Sequence, residues 1–176
     1  PIKRPLRIGT DCSGLEIPIM ALRNLGVRHD HIFSSESNAK LADLIRTEFR
    51  PHMLFSDVEN RVLHEVPTVD VYVSGFPCQP FSVAGKRQGF DDTTGRGTIF
   101  FSIANYIEQR RPKCFLLENV KGLKTIDQGK YHRSVLSRLR QIGSPESHDK
   151  RPGYEIHDVV INTQSHGLPH CRSRWY

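Results

Sequence analysis

The segment Val69-Asp70-Val71-Tyr72-Val73-Ser74-Gly75-Phe76-Pro77-Cys78-Gln79-Pro80 constrains this chain more than any other. Its β-branched residues at alternate positions, bounded by Gly75 and Pro77, predict a strand over residues 69–74, buried inside a parallel sheet. The carboxyl edge of such a sheet is where open α/β folds bind ligands. What arrives at that edge here is Cys78, clamped between two prolines. A cysteine so placed is either a nucleophile or an inert loop thiol, and the segment alone does not separate the two.

The rest of the chain alternates strand and helix in a way that suits a mostly parallel sheet. Strands are expected over residues 6–8, 31–35, 114–117 and 154–162. A first helix is expected through Leu15, Ile19 and Leu22, stopped by Gly26, with Pro18 tolerated only in its first turn. Further helices are expected over residues 39–49, 98–109 and 134–142. Residues 143–153, rich in Ser, Pro and charge, read as a surface connection. No internal repeat or domain boundary stands out, so residues 1–176 read as one domain.

The 176 residues suffice to bury a core. Apolar runs fall well short of the roughly 18 residues of a bilayer span, and the start lacks a signal-peptide pattern. An intracellular, non-membrane protein is expected, in the nucleus of a eukaryote or the cytoplasm and nucleoid of a bacterium. Cys12, Cys78, Cys114 and Cys171 are scattered without a CxxC pair, which argues for free thiols and against a disulfide framework or a metal site. Packing is the expected role of Cys12, Cys114 and Cys171. The net charge of +6 favours a polyanionic partner and is equally compatible with an ordinary basic surface.

Two acidic residues suggest a nucleoside site. The first strand leads into Asp11-Cys12-Ser13-Gly14, where glycine permits close approach of a ligand to the backbone, and Glu36 closes the second strand, where an acid can chelate ribose hydroxyls. The loop lacks the full GxGxxG fingerprint, so an ordinary strand-to-helix turn fits as well. Asp57 suits either an adenine amino group or a helix cap.

Taken in order, these motifs make the chain resemble the DNA (cytosine-5) methyltransferases from about Leu6 onward. Asp11, Cys12, Ser13, Gly14 and Leu15 are similar to the first cofactor motif of that family. Glu36 and Ser37 resemble its ribose-binding acid, and Ser56, Asp57 and Val58 its adenine contact. Gly75-Phe76-Pro77-Cys78-Gln79-Pro80-Phe81-Ser82 resembles the catalytic loop. Arg96-Gly97-Thr98 and Glu118-Asn119-Val120 follow in family order, and Gly167-Leu168-Pro169-His170-Cys171-Arg172-Ser173-Arg174 resembles the Gln-x-Arg-x-Arg motif with His170 in place of Gln.

The resemblance implies a Rossmann-like α/β fold that binds S-adenosylmethionine, with Pro77 also near the cofactor. It implies that Cys78 adds to C6 of a flipped cytosine while Glu118 protonates N3 and Arg174, with Arg172 beside it, holds O2. Gln79, Ser82, Lys86, Arg87 and Arg96 are then expected to contact nucleic acid, on a glycine-rich segment suited to closing over the base. Alone, Glu118-Asn119 suits a strand end and cap, and Arg172 and Arg174 suit a basic surface. DNA is the expected substrate; tRNA, or an inactive relative that only binds DNA, are the alternatives. The chain ends directly after the Arg-x-Arg motif, so the target recognition region and last motifs of the family are expected from a longer polypeptide or a second chain.

Overall fold

The computed structural model describes residues 4–77, 99–143 and 152–176. Two compact units emerge, Pro1–Gly75 with Asn105–Leu117, and Phe76–Ala104 with Glu118–Tyr176.

The first unit is a five-stranded sheet. Its strands are β1 (Leu6–Asp11), β2 (His29–Ser35), β3 (Met53–Phe55), β4 (Val71–Ser74) and β5 (Cys114–Leu117), all parallel, in the order β3-β2-β1-β4-β5. The chain winds outward from β1 in both directions, so the topological switch falls between β1 and β4. The loops after Asp11 and Ser74 leave the sheet at that point. Helix α1 (Ile17–Asn24) carries Pro18 in its first turn as expected, and the left-handed Gly26 follows its end. Helix α2 (Ala39–Leu44) is capped by the Asn38 side chain, which accepts from the amides of Lys40 and Leu41. It then widens into a π-turn over Ile45–Phe49, so the helix expected at 39–49 is present in two geometries.

The valines of β4 are not its core. Val71 and Val73 are half-buried, whereas Tyr72 and Ser74 are buried. The reason is an aromatic layer on the Tyr72 face: the Tyr72 and Phe33 rings stand 4.5 and 5.4 Å from that of Tyr106, which belongs to α3 (Ile99–Arg110). Phe33 lies across β1 so closely that a Cβ on Gly9 would stand 2.2 Å from its ring. Opposite Ile8 and Gly9 the register skips one residue of β2, from His31 to Phe33. That bulge sets His31 and Ser34 on the same face, which three-residue spacing in a regular strand forbids.

The second unit holds a three-stranded antiparallel sheet of β6 (Asn119–Val120), β7 (Val160–Asn162) and β8 (Ser173–Trp175), with β8 central. The strand expected over residues 154–162 is thus confined to its last residues; His157 and Glu155, ahead of it, are exposed and paired with each other at 2.9 Å. Helix α4 (Lys130–Gln141) begins a turn earlier than its apolar periodicity indicated, because Tyr131 joins Val135, Leu136 and Leu139 in the buried stripe. Trp175 anchors the sheet and meets His132 of α4 edge-on at 5.8 Å.

Candidate active site

Within the first unit, the loop after β1 alternates conformation: Cys12, Gly14 and Glu16 all have positive φ. Only Gly14 takes that region without cost, and nothing lies within 4 Å of where its Cβ would stand. The Gly14 amide donates to Glu36 Oε2 at 2.9 Å, and Glu36 Oε1 accepts from the Asn38 amide at 2.8 Å. The two sequence motifs around Gly14 and Glu36 are therefore joined by a direct hydrogen bond. Leu15 is exposed, as is Ser37, and Val58 is half-buried.

Asp57 closes a turn on itself. Its carboxylate accepts from the Glu59 amide at 2.7 Å and from Asn60 Nδ2 at 2.5 Å, and these bonds, the Glu59 amide first, hold its pKa below the ordinary value. Asp11 is enclosed. Its carboxylate accepts from Arg61 at 2.5 and 2.6 Å and from the Tyr72 hydroxyl at 2.5 Å, with both Asp11 and Arg61 side chains out of solvent. Arg61 also donates to Ser35 Oγ at 2.7 Å, and its guanidinium sits 5.5 to 5.6 Å from the ring centres of Phe33, Phe55 and Tyr106. Burial opposes its charge, but the Asp11 carboxylate outweighs that and leaves its pKa raised.

Arg61 is the residue that sequence reasoning passed over. It fastens the segment just after the Asp57 turn to the carboxyl ends of β1 and β2. The only available signal was an arginine four residues after Asp57, which by spacing alone is an ordinary surface charge. Cys12 is half-buried, and burial pushes its thiol up to about 12, so it is no nucleophile. Cys114 and Cys171, expected to pack, are exposed. Cys114 opens β5, an edge strand, and Cys171 lies in the turn ahead of β8, where neither site has a core to fill.

In the second unit, Glu118 and Arg174 form an ion pair, Nε to Oε1, at 2.9 Å. The pairing is built by the sheet: Val120 of β6 lies opposite Arg174 of β8, which brings the residue just before β6 to the Arg174 side chain. Burial raises the Glu118 pKa, against the pull of Arg174 and Arg172. Arg172 is exposed, and its amide is fixed by Asn162 Oδ1 and Thr163 Oγ1, each at 3.1 Å. Asn119, which suited a cap, does more. Fully buried, it donates from Nδ2 to the Phe76 carbonyl at 3.1 Å and accepts from the Val120 amide at 2.8 Å. It thereby ties the start of β6 to the backbone just ahead of half-buried Pro77. Cys78, Gln79, Ser82, Lys86, Arg87 and Arg96 lie outside the described residues.

Among the described residues, no helix is long and apolar enough to cross a membrane, and no cluster of His, Cys, Asp and Glu that could hold a metal ion occurs.

The profile described as C-5 cytosine-specific DNA methylase matches residues 11–176. The type II methyltransferase M1.ScrFI of Lactococcus lactis subsp. cremoris is 40% identical over 147 residues, which is 82% of this chain and 34% of that protein. The type II methyltransferase M.NgoBI of Neisseria gonorrhoeae is 41% identical over 146 residues, 83% of this chain and 42% of that protein. The chain therefore spans well under half the length of these relatives. In fold it is similar to the S. pombe Dnmt2 methyltransferase, with a TM-score of 0.71 at 18% identity, over 98% of this chain and 48% of that one. With a parallel sheet that switches direction between β1 and β4 and a match over nearly its whole length, the chain belongs to the C-5 cytosine-specific DNA methylase family.

Proposed function

We propose that the chain is the catalytic core of a DNA cytosine-5 methyltransferase that uses S-adenosylmethionine and acts on a cytosine flipped out of the duplex. The observation that carries this reading is the Glu118–Arg174 pair, a carboxyl with a raised pKa held on a guanidinium next to Asn119, which grips the backbone ahead of Cys78. The chemistry calls for those groups. Cytosine C5 is too weak a nucleophile to be methylated directly. Addition of the Cys78 thiolate to C6 makes C5 enamine-like and moves electron density towards N3 and O2. Glu118, protonated, donates its proton at N3, and Arg174 balances the charge that develops at O2. Once C5 has been methylated, loss of its proton expels the Cys78 sulfur and restores the ring. None of this reaches a stacked base, so the base must leave the duplex, at a cost of about a few kcal/mol.

The first unit fits the cofactor. The open, left-handed Gly14 beside the Glu36 carboxylate leaves room for a ligand against the backbone, as a nucleoside site requires. Glu36 would hold the ribose hydroxyls, the turn at Asp57 and Val58 the adenine, and residues 12–15 and Ser37 the remainder. Bound there, S-adenosylmethionine supplies an electrophilic methyl group. Asp11 contributes through its bond to Arg61, which keeps the loop and the turn in register.

The test is covalent trapping. DNA containing 5-fluorocytosine blocks the final elimination, so the full chain with S-adenosylmethionine is expected to give a denaturant-stable adduct that Cys78→Ser abolishes. Absence of an adduct under conditions where S-adenosylmethionine binds would overturn the assignment of this chain as an active core. An adduct on fluorocytosine RNA but not on DNA would transfer the assignment to RNA.

A further inference from the structure

The short strands of the second unit sort its side chains onto two faces. Alternation along β6 sets Asn119 on one face and Val120 on the other, with Glu118, just ahead of the strand, on the Val120 side. On β8, Trp175 lies opposite Asn119 and Val160, and Arg174 lies opposite Val120 and Ile161. One face therefore carries Asn119, Val160 and Trp175, with Asn119 and Trp175 almost wholly buried. The other carries Glu118 and Arg174, paired at 2.9 Å and 31% and 19% exposed. A slip of β8 by one residue would exchange Trp175 and Arg174 and break that pair. Strands of two and three residues supply few backbone bonds to prevent it.

Asp158 stands where it can. The ladder runs on past β7, because the Val159 and Tyr176 backbones exchange two hydrogen bonds of 2.9 Å. Alternation then carries to Asp158, two residues before Val160 and so on the Trp175 face. Its carboxylate accepts from Lys124 Nζ at 2.7 Å and from His132 Nε2 at 3.1 Å. Those donors are 34 and 26 residues away in sequence, on the helical turn Lys121–Lys124 that follows β6 and on α4. The Lys124 bond is the first cause that holds the Asp158 pKa below its ordinary value, so the carboxylate keeps its charge near neutrality. The His132 ring in turn meets Trp175 edge-on at 5.8 Å. Lys124, Asp158 and His132 thus form a clasp on the face opposite to the Glu118–Arg174 pair.

We propose that Asp158 is a positioning residue for the reaction: its clasp with Lys124 and His132 fixes the register of β8 and thereby keeps Arg174 beside Glu118. The inference rests on the reading of Glu118 and Arg174 as the groups that act at N3 and O2 of the cytosine.

The test reads Glu118 directly, by carbon-13 NMR titration of its carboxyl in the full chain. Arg174 is one of the groups that pull the Glu118 pKa down, so Arg174→Gln should raise the midpoint. Asp158→Ala should raise it too, because the guanidinium is no longer held beside the carboxyl. Direct electrostatics gives the opposite sign, since loss of a negative charge makes ionisation of Glu118 easier. On the Arg174→Gln background, Asp158→Ala should give no rise, as no guanidinium remains to be displaced. Arg172, the other cation acting on Glu118, is kept in every variant. Should Asp158→Ala fail to fold, His132→Phe keeps a ring against Trp175, drops one bond of the clasp and is read through the same cycle. A midpoint that does not rise in a folded clasp variant, or that rises equally without Arg174, overturns the proposal. The second readout is the rate of adduct formation on 5-fluorocytosine DNA. It is expected to fall on the order of 100-fold in Asp158→Ala, while affinity for S-adenosylmethionine, assigned to the first unit, stays unchanged. An unchanged rate in that variant also overturns the proposal. A wild-type chain that binds S-adenosylmethionine and forms no adduct would count against the methyltransferase reading and leave the titration to decide the clasp on its own.

Discussion

Asp11 and Glu16 are both buried in the first unit, on opposite sides of β1, and they are kept there by different means. Asp11 faces Arg61 and Tyr72, an opposite charge in bidentate contact with aromatic rings around it. Glu16 has no such cation in close contact. Its Oε1 accepts from Thr10 Oγ1 at 2.8 Å and from Ser34 Oγ at 2.5 Å, and His31 Nε2 stands 3.6 Å away, while Oε2 is buried with no hydrogen-bond partner. Burial raises the Glu16 pKa and lowers that of His31 from an ordinary 6.5 to about 4. One site holds its charges by pairing them. At the other, burial disfavours charge, and the carboxyl relies on the hydroxyls of Thr10 in β1 and Ser34 in β2, with His31 brought beside Ser34 by the bulge.

The two sites should therefore fail differently. Removing Arg61 strands a buried carboxylate, so Arg61→Ala is expected to cost about 3–5 kcal/mol in urea unfolding. Adding Asp11→Asn should recover a large part of that, and full additivity of the two substitutions would sink the pairing argument. At the other site, Glu16→Ala leaves two hydroxyls without their acceptor, an expected loss of about 1–3 kcal/mol. Because Glu16 has φ of 54°, Glu16→Gly should be less damaging than Glu16→Ala, by about 1 kcal/mol. The reverse order would mean that the backbone there is not strained.

The pH response sharpens the contrast. His31 binds its proton more weakly folded than unfolded, so the unfolded chain takes up more protons between about 4 and 6.5. Its contribution is complete above that window and declines as pH falls through it, with a slope of at most about 1.4 kcal/mol per pH unit. Urea midpoints of the wild type and His31→Gln should converge towards acid; parallel curves would refute the assignment. The smallest effect belongs to Arg4, which contacts Asp70 at 2.7 Å but is more than half exposed. Arg4→Ala should leave stability almost unchanged, because solvent screens an exposed pair. Its partner's pKa is lowered, with the Arg4 bond as the first cause, so that small difference should be present near neutrality and vanish as acid protonates Asp70.

What the sequence made legible is what repeats or alternates. β1, β2, β4, β5 and the helices announced themselves through periodicity, and Gly14, Glu36, Glu118 and Arg174 through ordered motifs. What stayed hidden depends on distant residues meeting. Arg61 carries no pattern, because its partners Asp11 and Ser35 are brought to it by the sheet. The bulge opposite Ile8 and Gly9 is invisible because only pairing with β1 defines a skipped residue. Short β8 escaped because Ser173, Arg174 and Trp175 are too few to show a period, and its existence rests on two neighbours, β6 and β7.

The Gly9–Phe33 contact has a consequence for how this chain can change. Neither residue is free to vary while the other stays: any side chain at Gly9 collides with the ring, and a smaller residue at Phe33 opens a void beside Tyr106. Only a joint replacement, larger at one position and smaller at the other, keeps the volume constant. Single-site scans will score both positions as intolerant, and pairwise libraries should uncover viable combinations that no sequence of tolerated single steps reaches.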